Sequence, residues 1–296
     1  MTTQTEVQPN LPELTVSARP SWARRLLRNR SGLVGLILIT LFVVISLLGA
    51  IGATPFPPIE QHPRDRLKPP DSTYWLGTDL FGRDVASRVM KGGANSLRVA
   101  LFSVALATTF GTLLGITAGY VGGLVDNVIM RLMDVFFAFP TLLLALLVVV
   151  VLGPGLDNTI LAIAVVYTPI FARVARGPVL SLKEMEFVTA ARCLGIREVR
   201  ILFRHVLPNA LAPLIVQVSL ALSWSLITEA GLSFLGLGTQ PPEPSWGLML
   251  SESRSLAEIA PWLMAYPGLA IMLGVLGFNL LGDGLRDVLD PRTSRR

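Results

Sequence analysis

Long apolar runs alternate with shorter polar segments along the chain, and the apolar runs have the length of membrane-spanning helices. Six runs qualify: Gly32–Ala53, Leu97–Tyr120, Val128–Leu152, Asn158–Ala175, Ala210–Leu237 and Trp262–Gly282. About 20 mostly apolar residues form a helix that crosses a bilayer. Backbone groups in hydrocarbon must be paired within their own segment, so these runs must be helical. The pattern predicts an all-α polytopic membrane protein with six transmembrane helices.

The distribution of Lys and Arg predicts the orientation of these spans. Basic residues concentrate before the first run, between the fourth and fifth runs, and after the last run. With six spans these three regions lie on one side, which the positive-inside rule assigns to the cytoplasm, together with both termini. The predicted organisation is a disordered tail (1–20), a basic segment with the first span (21–53), an extracytoplasmic loop (54–96), a helical core (97–286) and a cytoplasmic tail (287–296).

Composition supports a membrane protein over a soluble enzyme. Of the 296 residues, 52% are hydrophobic and only 15% are charged, whereas soluble domains carry about 25% charged residues. The net charge of +5 would suggest nucleic acid in a soluble protein. Here the arginines follow membrane topology, so the expected partner is a lipid bilayer and not a nucleic acid. The first apolar run is too long for the core of a cleaved signal peptide.

Motifs for catalysis are missing from the sequence. It contains no G-x-x-x-x-G-K-[ST] loop for nucleotide phosphates, no H-E-x-x-H and no G-x-S-x-G. One cysteine and two histidines without ligand spacing predict no metal site. We therefore expect no catalytic residues and no cofactor bound by this chain.

A charged segment between the fourth and fifth spans has its own helical pattern. Phe187, Ala190, Ala191 and Leu194 recur at i, i+3, i+4 and i+7, which predicts a helix over Glu184–Leu194 with a narrow face of mostly small residues. Gly195 follows where a helix-ending glycine belongs. A second helix over 196–206 then leads to Leu207 and Pro208, and proline fits the first turn of a new helix.

This segment resembles the cytoplasmic "EAA" loop of the membrane subunits of ATP-binding cassette importers. That loop has an Ala-Ala pair, a glycine four residues later and a Leu-Pro about a dozen residues beyond, as in Ala190-Ala191, Gly195 and Leu207-Pro208. The resemblance implies that the loop at 176–209 docks in a cleft of an ATPase subunit. The family's acidic position is Thr189 here, and the nearest carboxylate is Glu186, one turn earlier. A salt bridge from the family's acidic position is therefore not expected.

Other stretches resemble the dipeptide and oligopeptide importer permeases, of the DppC/OppC-like kind. They are "YWLGTDLFGRDVASRVMKGGANSLRVAL" (74–101), "TEAGLSFLGLGTQPPEPSWGLML" (228–250) and "PGLAIMLGVLGFNLLGDGLRDVLDPR" (267–292). The resemblance implies a type I importer (MetI-like) permease fold over 97–286. It also implies a bacterial inner-membrane location, a second homologous permease, two ATP-binding subunits that hold ATP and Mg²⁺, and an extracytoplasmic substrate-binding protein.

The resemblance further implies import of short peptides, with nickel, glutathione or another small solute as alternatives. An ion-coupled secondary transporter, or a membrane-anchored scaffold or receptor that transports nothing, would be a different class, and each would need no docking helix.

Two acidic residues lie within the predicted spans, where charge is unfavourable and usually faces a bundle interior or water. Glu229 either faces the translocation path or makes a hydrogen bond between helices. Asp134 is expected to pair with Arg131 at i, i+3. Pro140, Pro169, Pro213 and Pro267 are expected to interrupt the spans, either for tight packing or as hinges of a moving gate.

Overall fold

The fold is all-helical in the computed structural model, which describes residues 22–289, with side chains from Arg25 onward. In chain order the helices are α1 (Trp22–Arg28), α2 (Arg30–Ala50), α3 (Val85–Val121), α4 (Gly123–Phe137), α5 (Thr141–Leu152), α6 (Leu156–Leu182), α7 (Glu186–Cys193), α8 (Glu198–Ile201), α9 (Leu207–Phe234), α10 (Trp246–Ser253) and α11 (Trp262–Leu289). Within this range the extended structure is limited to one antiparallel bridge between Thr78 and Asp84. The predicted tail at 1–20 lies outside the described residues.

The predicted spans are present, but several helices run past the predicted ends. Of the described helices, five are long and apolar enough to cross a membrane, and α4 with α5 provides a sixth crossing if the bent pair is one span. Helix α3 begins at Val85, inside the predicted loop at 54–96, and α11 continues to Leu289, inside the predicted tail at 287–296. The charged ends of these helices extend them beyond the apolar stretch that the sequence pattern detects.

The predicted third span, Val128–Leu152, is not one straight helix. It is divided into α4 and α5, whose axes differ by 93°. Pro140 precedes α5 as its N-terminal cap, and proline lacks the amide that would continue the α4 hydrogen bonds. The prediction that Pro169, Pro213 and Pro267 also interrupt spans is wrong, since each lies inside a continuous helix. Their lost backbone bonds are tolerated where neighbouring helices pack against the proline.

Helices α3 and α6 form the main packing interface through small residues. A Cβ atom on Gly115 would lie 2.1 Å from the carbonyl oxygen of Ala172, and one on Gly111 would lie 2.5 Å from the Phe171 side chain. These glycines, in the stretch "GTLLGITAGYVGG" (111–123), are therefore required for the close approach of the two helices. The largest buried apolar cluster extends from this contact through α5 and α9 to α7.

The loop before α3, at 51–84, and helix α10 form an ordered cap over the start of α3. Arg83 and Arg88 both bind the Glu252 carboxylate, at 3.0 and 2.8 Å, and Arg83 also binds Asp79 at 2.6 Å. Trp246 of α10 donates to the carbonyl oxygen of Val89 on α3 at 2.9 Å. Charged and indole groups thus fasten one end of the bundle.

Within the loop, the Asp65 side chain connects Lys68 and Tyr74. Its carboxylate binds the Lys68 ammonium at 2.6 Å and accepts a hydrogen bond from the Tyr74 hydroxyl at 3.0 Å. These two partners lower the pKa of the Asp65 carboxyl below its ordinary value. The loop is therefore a folded part of the protein and not a loose connection.

Candidate functional site

Helix α7 is present where the docking helix is predicted, and it ends as predicted at Gly195. The helix covers Glu186–Cys193, slightly less than the predicted Glu184–Leu194. Gly195 has φ of +72°, and its amide binds the carbonyl of Arg192 while the amide of Ile196 binds the carbonyl of Ala191. This pair of bonds is the Schellman arrangement, in which a left-handed glycine closes a helix.

The predicted single face of α7 is divided between the protein interior and the surface. Ala191 is buried together with Val188, a residue outside the predicted face. Phe187, Ala190 and Leu194 are exposed, with 79% of Leu194 accessible. Glu186 and Thr189 are exposed as well. The i, i+3, i+4, i+7 spacing identifies the apolar side of the helix but not the centre of the buried face. In the structure, the buried face is rotated around the helix axis by about one residue relative to the predicted face.

The segment after Gly195 leads directly into the fifth span. Helix α8 is followed by a π-helical stretch over Leu202–Val206, and α9 begins at Leu207 with Pro208 in its first turn. The Leu207 amide binds the carbonyl of Leu202, five residues back, and Pro208 has no amide to donate. The prediction of a separate helix over 196–206 is therefore wrong. Residues Glu198–Phe234 form one long helical rod that contains a π-bulge.

A hydrogen-bonded triad connects this segment to a second span. The hydroxyl of Tyr120, at the end of α3, donates to the Glu198 carboxylate. Arg192 of α7 donates to the same carboxylate at 3.1 Å and lies over the Tyr120 ring at 5.8 Å. The sequence analysis missed this triad because Tyr120 is 78 positions from Glu198 and belongs to an apolar run.

Glu229 is enclosed within the subunit. Only 1% of the residue is accessible, and its two carboxylate oxygens accept hydrogen bonds from Ser96 at 2.8 Å and Ser233 at 2.7 Å. Ser233 in turn accepts the amide of Thr239 at 3.2 Å. The residue therefore has the geometry of the interhelical hydrogen bond that the sequence left open, and it lines no open surface of this chain.

Asp134 pairs with a different arginine from the one predicted. Its partner is Arg173 of α6, at 2.5 Å, and not Arg131. The side chain turns from its own helix towards α6, where a second ion pair joins Arg176 to Asp126 through bonds of 2.5 and 2.6 Å. The Asp134–Arg173 pair is about half exposed, at 52% and 48% of the two side chains.

No metal site accompanies these groups in residues 22–289, where no cluster of three or more His, Cys, Asp or Glu side chains could hold an ion.

Comparison with known proteins gives a consistent result over nearly the whole chain. Residues 111–295 match the family described as "Binding-protein-dependent transport system inner membrane component". Residues 21–70 match the "N-terminal TM domain of oligopeptide transport permease C".

Individual relatives extend this match. The chain is 46% identical to a dipeptide transport system permease protein DppC of Alkalihalophilus pseudofirmus, over 96% of this chain and 95% of that protein. It is 45% identical to a glutathione transport system permease protein GsiD of Pectobacterium atrosepticum, over 93% of each. A DppC of Haemophilus influenzae is 44% identical over 90% of this chain and 92% of that protein.

The fold is similar to that of a solved importer. A chain of the MetNI methionine ABC transporter, in an inward-facing conformation, superposes with a TM-score of 0.56. The sequences are 17% identical, and the alignment covers 69% of this chain and 96% of the other. The all-helical bundle, with α7 before the fifth span, is thus a type I ABC importer permease fold. On the family match and the relatives together, this chain belongs to the inner-membrane permease components of binding-protein-dependent ABC transport systems, in the dipeptide and oligopeptide permease group.

Proposed function

We propose that this permease subunit imports short peptides and receives the energy for transport through α7. In this proposal it forms half of the pathway, with a homologous second permease as the other half. Two ATP-binding subunits bind ATP and Mg²⁺, and an extracytoplasmic binding protein delivers the peptide. The names of the dipeptide permease relatives support the peptide substrate.

The exposed apolar side chains around α7 carry the docking proposal. Residues 185–203 expose several large apolar groups in a segment rich in arginine: Met185, Phe187, Leu194, Val199 and Phe203. A charged, water-facing segment with this many exposed apolar groups is typical of a protein interface, because the groups gain by burial against a partner. The resemblance to the EAA loop supports an ATPase subunit as this partner.

The geometry after α7 supports transmission of force in two directions. Gly195 joins α7 to the rod that becomes the fifth span, and the Tyr120–Glu198–Arg192 triad joins the same rod to the end of α3. Leu207 and Pro208 lie at the junction of the π-bulge with α9. Movement of the ATPase pair would therefore reach both helices, and with them the pathway. Cytoplasmic placement of α7 and both termini is part of this proposal.

Cross-linking to the ATPase tests the docking proposal. The native thiol at Cys193 is exposed, so the experiment starts from Cys193→Ser. In that background, Ala190→Cys should cross-link to an ATPase subunit in the reconstituted complex. Val188→Cys is the matched control, since Val188 is fully buried on the opposite side of α7. No cross-link from position 190, or equal cross-linking from both positions, would contradict docking through this surface.

Glutathione is the second candidate substrate, because the GsiD relative is almost as similar as the first DppC relative. Nickel and other small solutes are further alternative substrates, which rest on the subfamily resemblance alone. Uptake of a labelled dipeptide and of glutathione by the complete complex, with its own binding protein, decides between the first two. ATP-independent uptake driven by an ion gradient would instead favour a secondary transporter.

A further inference from the structure

The exposed face of α4 carries two parallel stripes of opposite character. Asn127, Arg131 and Asp134 form a polar stripe, whereas the neighbouring stripe is apolar and includes Leu124, Val128, Leu132 and Val135. Met133 is the buried residue of this helix. Arg173 of α6 extends the polar stripe through its ion pair with Asp134, and it lies 3.9 Å over the Phe137 ring.

These charges belong to helices that form candidate membrane spans, namely α6 and the bent pair of α4 and α5. Asp134 is eleven residues into α4, and Arg173 is nine residues before the end of α6. A half-exposed ion pair on such helices is unfavourable wherever it faces lipid. Arg131 strengthens the argument, because within residues 22–289 its exposed side chain has no hydrogen bond or ion pair.

The break between α4 and α5 provides a second, independent observation at the same place. Residues 138–140 connect the two helices without regular structure and are all exposed. Helix α5 begins there without a side-chain cap for its first amides. Non-helical backbone at membrane depth occurs only where it is buried in protein or faces a water-filled cavity. Helix breaks of this kind often mark substrate sites in transporters.

We propose that the polar stripe of Arg131, Asp134 and Arg173, with the break at 138–140, lines the translocation pathway and binds the charged termini of a peptide. This inference rests on the proposed peptide substrate. The ammonium of a peptide pairs with Asp134 and its carboxylate with Arg173, so that each terminus replaces one half of the existing ion pair. A zwitterion thereby passes without leaving an unpaired charge in the membrane.

The position of the stripe differs from one of the two sequence-based hypotheses for Glu229, in which this residue faces the pathway. Glu229 is buried and bound by two serine hydroxyls. Asp134 is exposed, pairs with a guanidinium and lies beside a helix break. Of these two carboxylates, only the second can reach a solute without unfolding the bundle.

Thiol labelling tests whether water reaches the stripe. In the Cys193→Ser background, Arg131→Cys and Leu132→Cys place a thiol on the polar and the apolar stripe, one residue apart. A charged, water-soluble thiol reagent should label position 131 in the assembled complex and leave position 132 unlabelled. Its rate at 131 should change about tenfold between the nucleotide-free and the vanadate-trapped complex, as alternating access requires.

Either of two results would overturn the pathway assignment. One is equal labelling of positions 131 and 132, or labelling of neither position. The other is a rate at position 131 that is the same in both states, since a residue at the lipid headgroups does not respond to the transport cycle. This test is independent of the substrate, so it holds even if the wild-type complex transports no peptide.

Uptake measurements test the binding of the peptide termini. Asp134→Asn should lower peptide uptake, while the peptide-loaded binding protein still stimulates ATP hydrolysis. Arg98→Gln is the matched control, because Arg98 and Asp157 form another exposed ion pair between α3 and α6 at 3.1 Å. Unchanged uptake in Asp134→Asn, or a joint loss of uptake, ATP hydrolysis and assembled complex, would reject this role. Failure of the wild-type complex to import peptides would instead reject the proposed substrate.

Discussion

The two ends of the bundle are held by different kinds of interaction. At the end capped by α10, the charged side chains of the cap are largely buried and shared among several partners, as in Arg88, which is 1% accessible and binds Glu252. At the other end, the ion pairs of Arg173 with Asp134 and of Arg192 with Glu198 are about half exposed. Exposed pairs contribute little to stability, whereas broken buried pairs are strongly destabilising. The contrast indicates a fixed end and an end that can rearrange.

The largest expected effect is at the fixed end. Arg88→Met should destabilise the subunit by about 3–5 kcal/mol, because it leaves the buried Asp79 carboxylate and the partly buried Glu252 carboxylate short of one partner. Thermal unfolding of the purified complex measures the loss. Arg173→Gln, at the half-exposed pair of the other end, should leave the melting temperature nearly unchanged. Similar losses in both variants would remove the distinction between the two ends.

The next effect separates packing from transport at Glu229. Glu229→Leu leaves the hydroxyls of Ser96 and Ser233 without their acceptor, and we expect a loss of about 2–5 kcal/mol. Glu229→Gln keeps the shape and an acceptor, so it should assemble with little loss of stability and nearly normal uptake. Loss of uptake in Glu229→Gln, with the complex intact, would restore Glu229 to the pathway.

A smaller effect on stability, with a large effect on coupling, is expected at Gly195. No atom lies within 4 Å of a Cβ added there, so space does not limit substitution. Substitution is limited instead by the backbone angle φ of +72°, because a β-branched residue in this region is strained by about 1–3 kcal/mol. Gly195→Val should abolish stimulation of ATP hydrolysis by peptide-loaded binding protein while the spans still insert.

Asparagine supplies the control for that variant. Asn tolerates the left-handed conformation, so Gly195→Asn should retain most of the stimulation. If Gly195→Val also retains it, α7 does not need its helix-ending turn to transmit movement.

The smallest effect compares two ion pairs on the same pair of helices. Arg176 binds Asp126 through two hydrogen bonds in a partly buried setting, whereas Arg173 binds Asp134 in a half-exposed one. Asp126→Asn should lower the melting temperature by a few degrees, and Asp134→Asn by less. A larger loss in Asp134→Asn would mean that this pair holds α4 in place.

Features with a regular spacing could be predicted from the sequence. Apolar length predicts the helices, and Gly195 marks the end of α7 through its position after a helical pattern. The small residues around Gly115 predict close packing. Each of these depends on local geometry or on the fixed thickness of a bilayer, which a linear pattern records directly.

Features that depend on contacts between distant segments could not be predicted. Asp134 has a plausible partner three residues away, yet it binds Arg173 on another helix. Glu229 has no sequence neighbour that indicates its bond to Ser96. Which side of α7 is buried depends on the surface against which Val188 packs. Helical periodicity gives the width of an apolar face but not the direction in which the fold turns it.

The contact of Gly115 with the backbone of Ala172 constrains how this protein can work. Two helices that meet without room for a methyl group cannot slide past one another or separate without opening a void. We therefore expect helices α3 and α6 to move together as one rigid body during the transport cycle. We therefore expect opening and closing at the bend between α4 and α5, where the ion pairs of α4 with α6 are partly or half exposed.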